Sequence, residues 1–295
     1  MGEEGLNIFK AMATIDRRWI YLLVWILVLG PVLRPIGMPI AVTPGTREFY
    51  NWLNKLGPDD IVLSVWETGF SAYNELKGGI IAAHRMIIEK GAKMCVVFST
   101  TEGRAIFQMV FGDPERNIPG ILTPDLEAHD YKYWEDYIVL GYVFVNDAAV
   151  ISMGNDFQGY IHNDWEGRPI KGSFLDRIKT AGDFSLIVDF SPGMQTVTLI
   201  SNYAMPYGTP MIAGAIGVCI PLWSPYLDTG YLKAILATTR GGAELEYLTG
   251  HPGPGLQAMD AFTLVHYMLI AFIIIGNIGY FGWSRKARVK EKTAI

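Results

Sequence analysis

Two long uncharged stretches lie near the ends of the chain, and between them apolar residues come in short bursts. The run Trp19 to Leu33, WIYLLVWILVLGPVL, carries no charged side chain. With Arg34 snorkelling back to water and Pro35-Ile36 in the far interface, it predicts a transmembrane helix over 19–36. Pro31 falls near its end, where a kink costs little. Ala261 to Trp283 is the longer run and gives about 34 Å of helix, a second span over 261–283. A secretory signal is the competing reading of the first run. Arg34, Pro35, Met38 and Pro39 stand where a cleavage site wants small residues, which favours an uncleaved anchor.

Between the spans, residues 37–260 alternate apolar β-rich runs with helical patterns. The runs are IVLSVW from Ile61, KMCVVFS from Lys93, AVISMG from Ala149, FSLIVDFS from Phe184 and MIAGAIGV from Met211. Continuous apolar strands separated by helices predict a parallel sheet covered on both faces, an α/β fold of Rossmann-like, doubly wound type. Ser71 is placed to cap a helix in which Leu76, Ile80, Ala83 and Ile87 repeat at helical spacing, and Gly91 to end it. Phe49, Trp52, Leu53 and Leu56 form one face of an earlier helix, and Ser224-Pro225 opens a later one holding Leu232, Ile235 and Leu236. Gly241-Gly242 reads as a break or a close helix approach. A connection over 103–148 is long for such a fold and reads as an insertion with a helix RAIFQMVFG and an aromatic cluster around Trp134. The linker from Gly250, GHPGPG, is brief and rigid, which keeps the domain close to the bilayer.

Charge follows position. Residues 35–260 hold 15 Lys+Arg against 25 Asp+Glu, and the ends reverse the balance to bring the whole chain to −5. An acidic middle excludes phosphate-backbone recognition, so no nucleic-acid partner is expected. Lys10, Arg17 and Arg18 precede the first span, and the tail over 284–295 carries Arg285, Lys286, Arg288, Lys290 and Lys292. Both termini, 1–18 included, are therefore expected in the cytoplasm and the domain in the periplasm or extracellular space, a two-pass arrangement in the cytoplasmic membrane. No glycosylation sequon occurs, and Cys95 and Cys219 sit in apolar runs as small core residues.

Within the second span, His266 and Asn277 are polar, open to a helix contact, a proton-linked role or a bond to an interfacial carbonyl. Gly276, Gly279 and Gly282 leave a small-residue face suited to packing on the first span or a neighbouring subunit. In an open parallel sheet, ligands sit beyond the carboxyl ends of the strands. The candidates for acid–base work there are Glu67, Asp156 and Asp189. Those for ligand contact are Thr68, Ser99, Thr100, Thr101, Asn155, Ser191 and Gly193, with Glu102 and Cys219 nearby. Asp, Ser and Thr after strands also serve simply as helix caps. Nucleophile-elbow, Walker, dinucleotide and zincin motifs are absent. Asp125, Glu127, His129 and Asp130, and likewise His162, Asp164 and Glu166, match no metal-site spacing and read as solvated turns. No cofactor or metal is expected.

These features point to a non-catalytic subunit or scaffold of a cell-envelope membrane assembly, touching the lipid bilayer and either its own copies or other membrane proteins. An extracytoplasmic small-ligand sensor and a membrane-bound hydrolase or transferase acting on envelope material are the rival expectations.

Overall fold

The computed structural model describes residues 3–113, 115–143 and 146–293, with side chains over 8–284 of these. The basic side chains from Arg285 to Lys292 lie outside the described residues. In chain order the helices are α1 (Glu3–Ala13), α2 (Arg17–Leu33), α3 (Pro44–Asn54), α4 (Phe70–Glu89), α5 (Gly103–Phe111) and α6 (Thr123–Ala128). Then come α7 (Asp147–Asn155), α8 (Phe157–Tyr160), α9 (Gln195–Leu199), α10 (Met205–Tyr207), α11 (Ile220–Asp228), α12 (Thr238–Thr249) and α13 (Pro254–Thr293). The strands of the main sheet are β1 (Ile61–Trp66), β2 (Lys93–Phe98), β3 (Tyr137–Tyr142), β4 (Leu186–Ser191), β5 (Met211–Ala215) and β6 (Ala234–Ala237). The chain divides into two compact units, residues 39–256 and the paired ends, 1–38 with 257–295.

In the unit 39–256 all six strands are parallel, in the order β3-β2-β1-β4-β5-β6. This is the Rossmann-like order, and it reverses direction between β1 and β4. Alternate residues of each strand feed two cores. Val62, Trp66, Phe98 and Phe190 pack with α3, α4, α5 and α12 on one face. Leu63, Val65, Val97 and Ile187 pack with α7, α8, the turn after α9 and α11 on the other. Helix α12 crosses α4 at backbone contact, because a Cβ on Gly242 would lie 2.6 Å from the Gly79 nitrogen. Gly241-Gly242 is thus a close approach and no break.

Four sequence expectations change. The run from Ala149 is not a strand but helix α7, because Asn146 caps it by accepting the Ala149 N–H at 2.8 Å. The third strand is YIVLGY, inside the stretch read as an insertion; a register shift between Val96 and Val97 is absorbed opposite Gly141, whose φ is 84°. Ile235 and Leu236 belong to β6, and α11 ends at Asp228 before Gly230 (φ 76°) turns the chain back. Helix α4 starts at Phe70 with Gly69 as its cap position, so Ser71 lies inside the first turn and caps nothing.

The unit of the chain ends is helical. Among the described residues one helix, α13 over Pro254–Ser284, is long and apolar enough to cross a membrane. Helix α2 has 17 residues, about 25 Å. Asp260, 1 % exposed, accepts the N–H groups of Ile36, Gly37 and Met38 at 2.7, 2.8 and 3.0 Å. The segment leaving α2 is thereby fixed to the outset of the apolar part of α13. Leu23 and Leu27 line an apolar groove with Leu264, Met268 and Phe272. The glycine face meets α1 rather than α2: a Cβ on Gly279 would lie 2.6 Å from the Ala13 nitrogen, and one on Gly282 would strike the Phe9 ring. Gly276 faces open space. His266 bonds the Phe262 carbonyl at 2.6 Å and Asn277 donates to the Ile273 carbonyl at 2.8 Å, each one turn back on its own helix.

Candidate functional site at the strand switch

The register of the three central strands builds the site. Trp66 pairs with Phe98 on one side and Phe190 on the other, so the next residue of each strand, Ser99, Glu67 and Ser191, falls in one row on one face. Glu67 is 1 % exposed and takes a hydroxyl on each oxygen: Ser99 donates to Oε1 at 3.1 Å and Ser191 makes a short bond to Oε2. Ser191 Oγ accepts the Gly193 N–H at 3.0 Å. Thr68 donates to the Phe190 carbonyl at 2.9 Å and Thr100 to the Thr68 carbonyl at 3.3 Å, so both tie the loops together. Two residues back along β4 on the same face, Asp189 accepts the Thr196 hydroxyl at 2.6 Å through Oδ2. Its Oδ1 is buried without a hydrogen bond.

Burial sets the electrostatics. It pushes the Glu67 carboxyl up to about 7 against the lowering effect of the two serine hydroxyls. Burial also raises Asp189 well above the usual carboxylate range, and the charge of Glu67 raises it further. With so little water around them, both carboxyls are pushed toward their neutral forms, and each one's charge disfavours ionisation of the other. Cys219 lies close enough for Glu67 to raise its thiol beyond the effect of burial, and the thiol donates to the Pro192 carbonyl at 2.9 Å.

In folds of this strand order the phosphate of a bound nucleotide sits on the first turn of the helix after β1. Here Glu102 occupies that seat, its Oε2 accepting the Phe70 N–H at 2.9 Å. Gly69 is what allows it, since a Cβ there would run into the Glu102 carboxylate. A second internal carboxylate, Glu75 on α4, accepts the Gly217 N–H after β5 at 2.8 Å. The crevice is lined by acids that already hold the donors a phosphate would use.

Of the sequence candidates, Glu67, Thr68, Ser99, Thr100, Asp189, Ser191 and Gly193 come together. Thr101 lies outside the row, in a 490 Å³ surface recess with Arg104 and Trp165 beside the ends of β2 and β3. Asn155 and Asp156 are elsewhere. Asn155 accepts the Tyr207 hydroxyl at 2.5 Å, and Asp156 caps α8 through the Gly159 N–H at 2.9 Å, near Lys179 ahead of β4. They were candidates only because α7 read as a strand. Asp125 pairs with Arg85 at 2.8 Å and Asp130 with Lys132 at 2.8 Å, while Asp164 accepts Tyr133 and Arg168. No group of three or more metal-ligating side chains occurs among the described residues. Sequence reasoning missed Thr196, whose hydroxyl the Asp189 carboxylate accepts, and the role of Glu102; the sequence signal for the latter is a helix start at Gly69 that lacks a capping side chain.

Comparison with protein-family models, with curated proteins and with solved structures returns no match.

Chemically, the row joins two serine hydroxyls to a buried carboxyl, with a second buried carboxyl behind it, and burial raises the proton affinity of both. Ser191 stands between a backbone N–H and a carboxyl able to take its proton, but Ser191 and Asp189 are fully buried and Ser99 is 7 % exposed. A substrate would reach them only if the loop after β4 lifted.

Proposed function

We propose that the chain is a two-pass envelope membrane protein whose α/β body works as a non-catalytic contact component of a membrane assembly. The observation that carries the reading is the mouth of the switch crevice. Its polar row is sealed, whereas the loops that follow β1, β4 and β5 expose Phe70, Met194 and Val218 at 46, 59 and 80 %. Exposed apolar side chains around a closed polar centre suit protein contact better than turnover. The two-pass arrangement is supported by Asp260, whose three hydrogen bonds join the exit of α2 to the apolar part of α13. Basic residues at 10, 17 and 18 and again beyond 284 then favour cytoplasmic termini and a body on the outer side. At 17 residues α2 is short, and the non-helical residues 34–38 complete the crossing in this arrangement.

Extraction in mild detergent followed by light scattering is the test. The wild-type chain should run as an oligomer or with co-purifying membrane proteins, and Val218→Glu with Met194→Glu should dissociate it without lowering Tm. A wild-type chain found only as a lone monomer removes the reading. The hydrolase or transferase alternative rests on Ser191 placed between the Gly193 N–H and Glu67. It requires Glu67→Gln to abolish biological function while Asp156→Asn preserves it. The small-ligand alternative requires a metabolite to raise Tm in wild type and not in Ser191→Ala.

A further inference from the structure

At the end of the sheet where β3 begins, opposite the Glu67 row, the segment between α5 and β3 folds around a cavity of about 540 Å³. Small-molecule sites span roughly 300–1,000 Å³. Tyr137, 1 % exposed, lines it together with Phe111. Its ring stacks on Tyr131 with centroids 5.7 Å apart and meets Tyr133 edge-on at 5.2 Å. The other two phenols are spoken for: Tyr131 donates to the Ala92 carbonyl at 2.6 Å and Tyr133 to Asp164 at 2.9 Å. The Tyr137 hydroxyl makes no hydrogen bond to the described residues and, unlike that of Tyr203, is not sealed from solvent, so it opens onto the cavity. A phenol so enclosed ordinarily finds one, and the cavity is the side from which a partner can come.

The charge of the lining selects the partner. Three carboxylates, Asp113, Glu127 and Asp130, line it with one ammonium, Lys132, and the Arg116 guanidinium pairs with Asp113 at 3.4 Å from outside the lining. Asp113 is 2 % exposed and accepts Gln108 at 2.9 Å and the Arg116 N–H at 3.2 Å. Its charge, after burial, still raises the Tyr137 phenol. Lys132 is held by Asp130 at 2.8 Å, which leaves Glu127 without an ion pair among the described residues. We propose that this cavity is a binding site for a small organic cation bearing a protonated amine, with the Tyr137 hydroxyl accepting an N–H and Glu127 balancing the charge. The aromatic lining contributes dispersion and attraction for the cation. Nothing in this inference depends on the strand-switch row or on assembly.

Titration calorimetry of the full chain in detergent tests it, with benzylamine as the probe and benzoate and benzyl alcohol as anionic and neutral counterparts. Benzylamine should bind saturably, about tenfold or more tighter than either counterpart. Tyr137→Phe should weaken benzylamine about tenfold while leaving Tm unchanged, because the lost hydroxyl bonds nothing in the protein. Glu127→Gln, at an exposed position of α6, should weaken it as well. Absence of saturable benzylamine heat, equal binding of benzoate, or unchanged affinity in both variants would overturn the proposal.

Discussion

Neighbouring residues of β1 send the two buried polar clusters of the body to opposite faces of the sheet, and the two are finished differently. On the α4 face each donor of the Trp66–Ser64–His84 chain has an acceptor. Trp66 Nε1 donates to Ser64 Oγ at 2.8 Å, Ser64 donates to His84 Nε2 at 2.7 Å, and His84 Nδ1 donates to the Ile80 carbonyl at 2.7 Å. The carbonyl can only accept, which puts a proton on Nδ1, and the Trp66 indole N–H, which can only donate, also reaches Nε2 at 3.2 Å, so Nε2 is bare and the imidazole neutral. On the other face Glu67 and Asp189 are as deeply buried, yet Asp189 Oδ1 has no partner and the pair lacks a cation. Closed networks of neutral groups fix a core, whereas a buried acid pair leaves part of the folding energy dependent on protons.

The largest expected effect breaks the finished side. His84→Ala removes a fully buried ring and strands Ser64 and Trp66, and should cost about 4 kcal/mol in unfolding free energy followed by tryptophan fluorescence. A cost below about 1 kcal/mol would show that the network does not organise the core. Burial holds the His84 imidazole down to about 4, below the usual 6.5. A base depressed in the folded state contributes stability that is complete above 6.5 and is lost as pH falls toward 4. His84→Ala should therefore flatten the acid limb of the stability profile.

Glu67→Gln sharpens the contrast with the opposite sign. The carboxyl is raised from 4.5 to about 7 in the folded chain, so its contribution is complete below 4.5 and is lost as pH rises through 7. The amide never ionises. At pH 8 the variant should be more stable than wild type, by on the order of 3 kcal/mol, and near pH 4.5 the two should coincide. Thermal unfolding measured across that range checks the sign. A variant less stable than wild type at pH 8 would mean that Glu67 is ionised and held by its serines.

How much of this could be read from the sequence varies with how local the cause is. IVLSVW and KMCVVF are continuous apolar runs, and β1 and β2 fall where those runs lie. YIVLGY lies inside 103–148, the stretch read as an insertion, yet Tyr137 is buried and the run pairs with β2 at the edge of the sheet. AILA is four residues of helix-favouring composition that become β6 by pairing with β5, a tertiary override of local preference. The site followed the same rule. Ser99, Glu67 and Ser191 could be listed because each follows a legible strand, whereas Asp156 entered on a misread one. Thr196 meets Asp189 across a turn whose shape no local spacing announces, and the Tyr137 cavity depends on how the stretch 112–136 closes on itself.

The smallest expected effect tests what seals the crevice. Glu102 is exposed and its carboxylate meets one N–H of the first turn of α4, so Glu102→Ala should cost only about 1 kcal/mol. The informative change is in anion response. With the seat emptied, inorganic phosphate has access to the Phe70 N–H at the positive end of a 20-residue helix, beside the Gly69 position that no side chain crowds. Phosphate at about ten times its Kd would then raise the stability of the variant by about 1.4 kcal/mol, visible as an increase in Tm. Wild type should show no such increase, because its own carboxylate already fills the place. If both proteins respond alike, the anion binds elsewhere and Glu102 is an ordinary cap; if only the variant responds, a single side chain closes the anion seat at the strand switch.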